Sequence, residues 1–441
     1  MAQIQLQRYA ELLADGAFIE YTGKVSKVVG LTIESEGPEV NIGELCEIHA
    51  ARFGKIVHAE VVGFRDGKAL LMPLGNMSGV GPGNKVVATG ANLSVAVGES
   101  LTGRVLDGLG QPIDEGGPIT PEFMYTVDHQ APHPLARKRI TEPLPLGIKV
   151  IDGLLTVGKG QRIGIFAGSG VGKSTIIGMI ARYTRADINV IALIGERGRE
   201  VREFLEKDLQ DEGLARSVVV VATSDQPALI RLKGAFAATA IAEYYRNKGY
   251  DVLLLMDSLT RFAMAQREIG LAIGEPPVSR GYTPSVFGQM PKLLERAGNS
   301  ASGSITGLYT VLVDGDDLTE PVTDAARGIL DGHIVLSRSL ANRNQYPAID
   351  VLASISRVMP DVVTPEHSRI AAEIKRVMAI YRDAEDLINI GAYTKGSNEK
   401  IDYAIGIIDS IQGFVEQKVG EAVAFEDILA LMPQLIGERQ K

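Results

Sequence analysis

Residues 168–175 form a glycine-rich run that ends in a lysine and two hydroxyl side chains. The run consists of Gly168, Ser169, Gly170, Val171, Gly172, Lys173, Ser174 and Thr175. Glycines let backbone N–H groups curl around phosphate oxygens, and a lysine at this position supplies a point charge to the β- and γ-phosphates. The hydroxyl that follows the lysine is the group such loops place on Mg²⁺. The run therefore predicts a site for a nucleoside triphosphate and magnesium, although Ala167 stands where the strict pattern has glycine.

Two carboxylates follow apolar runs elsewhere in the chain. Hydrolysis needs a carboxylate near the metal and a base that orients water. Asp257 ends the run "LLLMD" and is the candidate metal-side carboxylate, although an aspartate can also merely cap a strand. Glu196 follows "VIALIG" and is the candidate base, although a charged residue after a strand is more often just solvated. With the loop, these carboxylates predict catalysis as well as binding.

Four nearly unbroken apolar runs, at 162–168, 188–195, 217–223 and 251–257, must position these groups. Such runs are typical of parallel strands that are buried on both faces. Helical stretches separate them, for example over 199–213 and 232–249. The alternation predicts a doubly wound α/β domain, in which ligands bind at the carboxyl ends of the strands.

The flanking segments have different patterns. Residues 18–95 hold short alternating runs broken by Gly, Pro and Asn, which predicts a small β-barrel or sandwich. The chain after about residue 360 reads as helices, with turns at 390–400 and 418–423. Four apolar residues at helical spacing within 1–15 predict a short amphipathic helix, which could pack on its own domain or dock a partner. The predicted domains are thus a helix (1–17), a β-barrel (18–95), a nucleotide-binding domain (96–360) and a helical domain (361–441).

The composition of the chain argues against several classes of protein, among them nucleic-acid-binding, disulfide-bonded and membrane-spanning proteins. The net charge of −9 argues against a broad electrostatic footprint for nucleic acid. The single cysteine, Cys46, fits a reducing compartment and is expected to be a buried small hydrophobe. His129 and His133 lie among prolines, which predicts a loop rather than a metal site. Neither a signal peptide nor an apolar stretch of about 18 residues is present, so we expect a cytoplasmic protein with at most peripheral membrane contact.

Four strings together carry a family resemblance: "AGSGVGKS" (167–174), "IGERGREVREF" (194–204), "MDSLTRFAMAQREIG" (256–270) and "YPAIDVLASISR" (346–357). Over about 20–435 the chain resembles the α/β family of rotary ATPases and, more closely, the type III secretion ATPases with their flagellar export branch. The resemblance implies an N-terminal β-barrel, a central RecA-like nucleotide-binding domain and a C-terminal helical domain. It also implies that the nucleotide is ATP, bound with Mg²⁺.

The resemblance assigns further roles. Arg197 would support the base Glu196, and Arg261 would reach the γ-phosphate. Tyr346 would stack on adenine. Arg357 would be an arginine finger that acts on the ATP of the neighbouring subunit; from the residues alone, it could equally pair with an acidic helix. The Gly- and Pro-rich segment 267–289 reads as a loop after the Asp257 strand, which in the family faces the central channel.

The resemblance also implies partners. It implies a homo-hexamer with active sites shared at the interfaces, a central stalk protein and export chaperone–substrate complexes. It further implies a membrane export gate and a flagellar export regulator that docks on the N-terminal helix. Nucleic acid is not expected as a partner.

The choice within the family rests on details. The phosphate loop lacks the doubled glycine start and final threonine of catalytic synthase subunits, and residues 390–400 lack the acidic run that synthases present to their shaft. Both features favour a secretion ATPase over an ATP synthase. Residues 218–249 look more like flagellar export enzymes than like the ATPases of a virulence injectisome, and the injectisome ATPase stays as the alternative. A hexameric RNA or DNA translocase would need basic and aromatic residues for stacking in the barrel, and these are not clustered in 18–95. A regulatory subunit without turnover would be expected to lack Glu196 or Arg357, and both are present.

Overall fold

The computed structural model describes residues 20–50, 54–313, 317 and 319–436. The predicted helix at 1–17 therefore lies outside the described residues. The chain divides into two compact units, one ending at Leu93 and the other beginning at Ser94, with Ala272–Gly274 grouped in the first.

The first unit is a closed barrel, which decides between the barrel and the sandwich predicted from the sequence. Its strands are β1 (Thr22–Val29), β2 (Thr32–Glu36), β3 (Glu44–Ala50), β4 (Lys55–Arg65), β5 (Lys68–Pro73) and β6 (Lys85–Asn92). They pair in the order β1-β2-β5-β4-β3-β6, with β6 returning to β1. Alternate residues of β3 point inward, among them Cys46 and Ile48, and the burial of Cys46 confirms its prediction.

The second unit is built on a mostly parallel sheet. Its strands are β7 (Ser94–Val97), β8 (Val105–Asp107), β9 (Phe123–Thr126), β10 (Arg162–Ala167), β11 (Ile188–Ile194), β12 (Ser217–Ala222), β13 (Asp251–Asp257), β14 (Gly298–Asn299), β15 (Ser304–Leu312), β16 (Gly332–Leu336) and β17 (Ile349–Ser356). The main order is β17-β16-β10-β15-β13-β11-β12-β8, while β14 pairs with β15 and β7 with β9. All seven residues of β11 are buried, as expected for a strand covered on both faces. The four strands predicted from apolar runs are confirmed as β10 to β13.

Helices cover this sheet and continue beyond it. They are α1 (Lys149–Leu154), α2 (Lys173–Tyr183), α3 (Gly198–Glu203), α4 (Gln210–Leu214), α5 (Ala228–Asn247), α6 (Leu259–Ile273), α7 (Pro284–Leu294), α8 (Pro321–Ile329), α9 (Arg338–Asn342), α10 (Met359–Val362), α11 (Pro365–Asn389), α12 (Glu399–Val415) and α13 (Phe425–Leu435). The last three form the C-terminal helical region, and its predicted turns fall between them. Phe414, Ile428 and Met432 from α12 and α13 crowd the Cα of Gly153 in α1, where any added side chain would meet them within 3.0–3.3 Å. The helical region is thereby packed directly on the nucleotide-binding core.

Two segments differ from the sequence-based expectation. The reading of 267–289 as a loop holds only for its middle, residues 274–283, because α6 runs to Ile273 and α7 starts at Pro284. Buried Phe262 and Ile269 anchor α6, and proline is favoured at the first helical position, as at Pro284. The predicted helix over 199–213 is interrupted by a π-helical turn at Phe204–Leu209, after which Gln210 has φ 59° and ψ 175°.

Further expectations concern metals and membranes. His129 and His133 lie in an irregular segment, which confirms the predicted loop. Within the described ranges, no cluster of three or more His, Cys, Asp or Glu side chains could hold a metal ion by itself. No helix in that part of the chain combines the length and apolar character needed to cross a bilayer.

Candidate active site

The glycine-rich loop connects β10 to α2 at the carboxyl edge of the sheet. Gly170 and Gly172 have φ values of 79° and 88°, a left-handed backbone that other residues rarely adopt. α2 then begins at Lys173, so its unpaired N–H groups face the loop. The Val171 side chain is buried in the core and leaves only its backbone for a ligand. This local geometry is suited to phosphate oxygens.

A cavity of about 480 Å³ opens above the loop. Its lining includes Gly168–Gly170, Gly172–Thr175, Glu196, Arg197, Glu200, Phe204, Asp257 and Arg261. Most of the predicted site residues therefore meet around one space. Tyr346 and Arg357 do not line it.

Lys173 lies between the two predicted carboxylates. Its Nζ is 3.3 Å from Glu196 Oε1 and also contacts Asp257 Oδ1. Asp257 pairs in register with Leu193, so the ends of β13 and β11 bring Asp257 and Glu196 side by side. Burial tends to lower the pKa of Lys173, but the charges of Asp257 and Glu196 outweigh it, and the pKa is raised. The lysine is therefore held in its charged form.

Glu196 has the character of a base poised near neutrality. Burial and the adjacent charge of Asp257 raise its pKa to about 7, and Lys173 offsets only part of this effect. Glu200, one helical turn later, shares a hydrogen bond with Glu196. Burial tends to raise the pKa of Glu200, but hydrogen bonds with Glu196 and Arg197 lower it overall. When one proton binds to the Glu196 and Glu200 carboxyl groups, it therefore resides on Glu196.

The two arginines at the cavity differ in their environment. Arg197 is the N-cap residue of α3, and its Nη1 is 2.8 Å from Glu200 Oε1 on the exposed side of the site. Arg261 projects from α6 across Gly195, where an added Cβ would lie 2.7 Å from the Cβ of Arg261. Only glycine allows that approach. The Nε of Arg261 is buried and has no hydrogen-bond partner among the described residues, which suits an anionic ligand.

Thr310 was not identified from the sequence. It lies in β15, between β10 and β13, and its Oγ1 donates a 2.7 Å hydrogen bond to Asp257 Oδ1. Thr310 is 1% exposed. The available signal was a single threonine inside the otherwise apolar and aromatic run "LYTVLV".

Tyr346 lies beside the loop rather than in the cavity. A Cβ on Gly172 would be 3.5 Å from Cε1 of the Tyr346 ring. Tyr346 is 42% exposed, so part of this residue is open to solvent. Its backbone carbonyl accepts a 3.0 Å hydrogen bond from the amide N–H of Gln417, in the segment between α12 and α13.

Arg357 lies at the opposite edge of the sheet. β17 is antiparallel to β16, so Ser356 pairs with Gly332 at the start of β16, and the N–H of Arg357 donates to the carbonyl of Asp331. The guanidinium donates to the carbonyls of Leu330 and Arg327 at 3.2 and 3.5 Å. Among the described residues it has no acidic partner, so the predicted alternative of an ion pair with a helix was wrong. Since β10 advances about 3.3 Å per residue, its two ends are about 17 Å apart, and Arg357 cannot reach its own phosphate loop.

Comparison with known proteins places this geometry in a family. Family models of the ATP synthase alpha/beta family match the chain, the beta-barrel domain at 25–90 and the nucleotide-binding domain at 147–356. Residues 363–434 match the C-terminal domain of the T3SS EscN ATPase. The chain is 56% identical over 421 residues to the flagellum-specific ATP synthase of Bacillus subtilis, covering 95% of this chain and 96% of that protein.

The chain belongs to the ATP synthase alpha/beta family. It is also 52% identical to the type 3 secretion system ATPase of Xanthomonas euvesicatoria, covering 93% of each chain. The structure of assembled EscN from enteropathogenic E. coli matches with a TM-score of 0.89 at 46% identity, covering 94% of this chain and 100% of EscN. EscN in complex with its central stalk EscO matches with a TM-score of 0.87. Within the ATP synthase alpha/beta family, the chain is therefore an ATPase of the type III export apparatus.

Proposed function

We propose that this ATPase hydrolyses Mg²⁺·ATP at the cavity above residues 168–175 and that it serves the flagellar export apparatus. The observation that carries the catalytic part is the convergence of Lys173, Glu196 and Asp257 on one cavity. In this proposal the backbone of the loop and the Lys173 ammonium bind the phosphates. Lys173 then exchanges its carboxylate partners for phosphate oxygens when the nucleotide enters.

Ser174 and Asp257 are the proposed magnesium ligands. Their hydroxyl and carboxylate oxygens are the hard donors that Mg²⁺ prefers, and Mg²⁺ uses few protein ligands when phosphates supply others. Oδ1 of Asp257 is occupied by Lys173 and Thr310, while Oδ2 accepts no hydrogen bond from the described residues. The donor set therefore fits the ion. Bound there, Mg²⁺ would neutralise charge on the phosphate oxygens.

Glu196 is the proposed base for the attacking water. A base works best when its pKa is close to the working pH, and burial brings Glu196 to about 7. Glu200 shares a hydrogen bond with Glu196 when Glu196 is protonated, and it is proposed to hold the proton there after Glu196 has taken it from water. Arg261, with its unpartnered Nε, is proposed to bind the γ-phosphate, and Arg197 to keep Glu200 and the start of α3 in place.

The remaining roles depend on assembly. Arg357 is proposed as an arginine finger on a neighbouring subunit's ATP, since it lies by the start of β10, whose length of about 17 Å separates that end from the phosphate loop. Tyr346, open beside Gly172, is proposed to stack on adenine. The assembled EscN structure supports self-assembly of this chain, for which we propose a homo-hexamer with shared sites, and the EscN–EscO complex supports a central stalk partner.

The flagellar assignment is supported by 56% identity to the Bacillus subtilis flagellar protein, against 52% to the Xanthomonas euvesicatoria secretion ATPase. With it we propose a cytoplasmic location, peripheral at the membrane export gate. Chaperone–substrate complexes are the proposed cargo, and an export regulator is the proposed partner of residues 1–17. A virulence injectisome is the alternative system.

One variant tests both parts. Glu196→Gln preserves shape but removes the base, so the purified protein should bind ATP with an unchanged affinity and hydrolyse it about 10²–10⁴-fold more slowly. In the cell of origin, the same substitution should abolish or reduce flagellin export and motility. Full turnover by Glu196→Gln would refute the base assignment. Normal motility with loss of injectisome secretion would refute the flagellar assignment.

A further inference from the structure

The segment between α12 and α13, residues 416–424, contacts three elements of the nucleotide-binding core. Within it, Gln417 is 5% exposed although its side chain is a primary amide. Buried amides are retained where their hydrogen bonds are satisfied. The partners of Gln417 therefore indicate what it does.

Every polar atom of the Gln417 side chain is engaged. Oε1 accepts from the N–H of Lys149 at 2.7 Å, and Nε2 donates to the carbonyls of Gly147 and Glu421 at 2.9 and 2.7 Å. Lys149 begins α1, so the amide joins the start of α1 to its own segment. The side chain thus fixes the place of the Gln417 backbone.

That backbone is bonded to Tyr346. The N–H of Gln417 donates to the Tyr346 carbonyl at 3.0 Å. Two residues further on, the carbonyl of Val419 accepts from Arg182 Nη2 at 3.1 Å and from Tyr183 Oη at 2.9 Å. Arg182 and Tyr183 are the last residues of α2, the helix that begins at Lys173. The segment is held to the far end of the phosphate-loop helix as well as to Tyr346.

We infer that Gln417 is a positioning residue for Tyr346 and therefore for the base of the bound nucleotide. The Tyr346 ring is half open and faces Gly172, so side-chain packing restrains it only partly. The restraint comes from its backbone, which Gln417 holds. Since Gln417 lies two residues after the end of α12, movement of the C-terminal helices would change nucleotide affinity through this contact. The inference rests on the proposed contact between Tyr346 and adenine.

A double-mutant cycle tests the inference. Steady-state hydrolysis would be measured for the full chain and for Gln417→Leu, Tyr346→Ala and the double variant. Each single variant should weaken the stacking of Tyr346 on the base. We therefore expect each to raise KM for ATP about five- to tenfold and to leave kcat within about twofold of the unmodified value. The double variant should have a KM within about twofold of Tyr346→Ala alone, because Gln417 acts only through Tyr346.

Matched variants separate positioning from folding. Gln412→Leu makes the same replacement at an exposed position of α12 and should leave KM unchanged. If Gln417→Leu unfolds, Gln417→Glu decides, because it keeps the acceptor for Lys149 while losing both donors. It sets an oxygen against the carbonyls of Gly147 and Glu421, so it should raise KM, and this effect should also disappear in the Tyr346→Ala background.

Additive effects of Gln417 and Tyr346 substitutions on KM would overturn the inference while leaving the base contact intact. An unchanged KM in Tyr346→Ala would instead refute the proposed base contact and the inference with it. If Gln417→Glu lowers kcat and leaves KM unchanged, Gln417 has a purely structural role, and the inference is overturned.

Discussion

Arg357 and Lys173 should complement each other when they are supplied by different chains. Arg357→Ala removes the cation at one edge of the sheet, and Lys173→Ala removes the phosphate-binding charge at the other. Each variant alone should lose about 10³-fold or more in kcat, as arginine fingers do in related phosphoryl transfer. A mixture of the two should recover activity, because some interfaces then contain one intact half from each chain.

The extent of recovery follows from counting. In rings assembled from equal amounts, half of the chains supply an intact phosphate loop and half supply an intact Arg357. About one quarter of the interfaces are then complete, so activity should return to about 25% of the unmodified level if sites act independently. The assay is ATP hydrolysis on rings isolated by size after mixing.

A second mixture provides the control. Lys173→Ala and Glu196→Gln both damage the phosphate-loop side of an interface, so every interface in their mixture is defective, and no recovery is expected. Failure of the Arg357→Ala mixture to recover, in rings shown to contain both variants, would refute action between subunits. Recovery in the control mixture would refute the division of the site into two halves.

Three further outcomes are expected. Thr310→Val removes the hydrogen bond to Asp257 and should raise the Mg²⁺ concentration needed for half-maximal binding of a fluorescent ATP analogue by about tenfold, whereas Thr310→Ser should stay near the unmodified value. The value of kcat/KM for ATP should rise with pH, reach half of its maximum near pH 7 and level off about one pH unit higher, because Glu196 accepts a proton only when ionised; a flat profile between about pH 5.5 and 8.5 would contradict its role. Gln210→Gly should increase the free energy of unfolding by about 1–3 kcal/mol in urea titrations. The reason is that φ 59° with ψ 175° is a region of the backbone used almost only by glycine. A destabilised variant would show that the backbone at Gln210 is not strained.

The catalytic edge of the fold was predictable because its signals are local. Apolar runs at 162–168, 188–195 and 251–257 predict buried parallel strands, and such strands bring whatever follows them to one edge. The phosphate loop needs only its own glycines and the helix behind it. Glu196 and Asp257 could therefore be placed near Lys173 without knowledge of the pairing partners.

Features that depend on contacts distant in sequence were not predictable. Thr310 gains its role only because β15 lies between β10 and β13, an order that the chain sequence does not state. Gln417 looks like any polar residue after a helix until Lys149 and Tyr346 are seen beside it. The π-helical turn before Gln210 is likewise invisible to a helical periodicity, since the apolar spacing on either side stays close to that of an α-helix.

The antiparallel course of β17 has a consequence for the number of working sites. It gives each subunit a phosphate-binding half at one edge of the sheet and an arginine at the other. Subunits that join head to tail through unlike halves form an open row with one fewer complete site than it has members, whatever its length. Only closure of the row completes the last site. Ring closure would therefore add a catalytic site without adding a subunit, and the activity per chain would report whether the ring is closed.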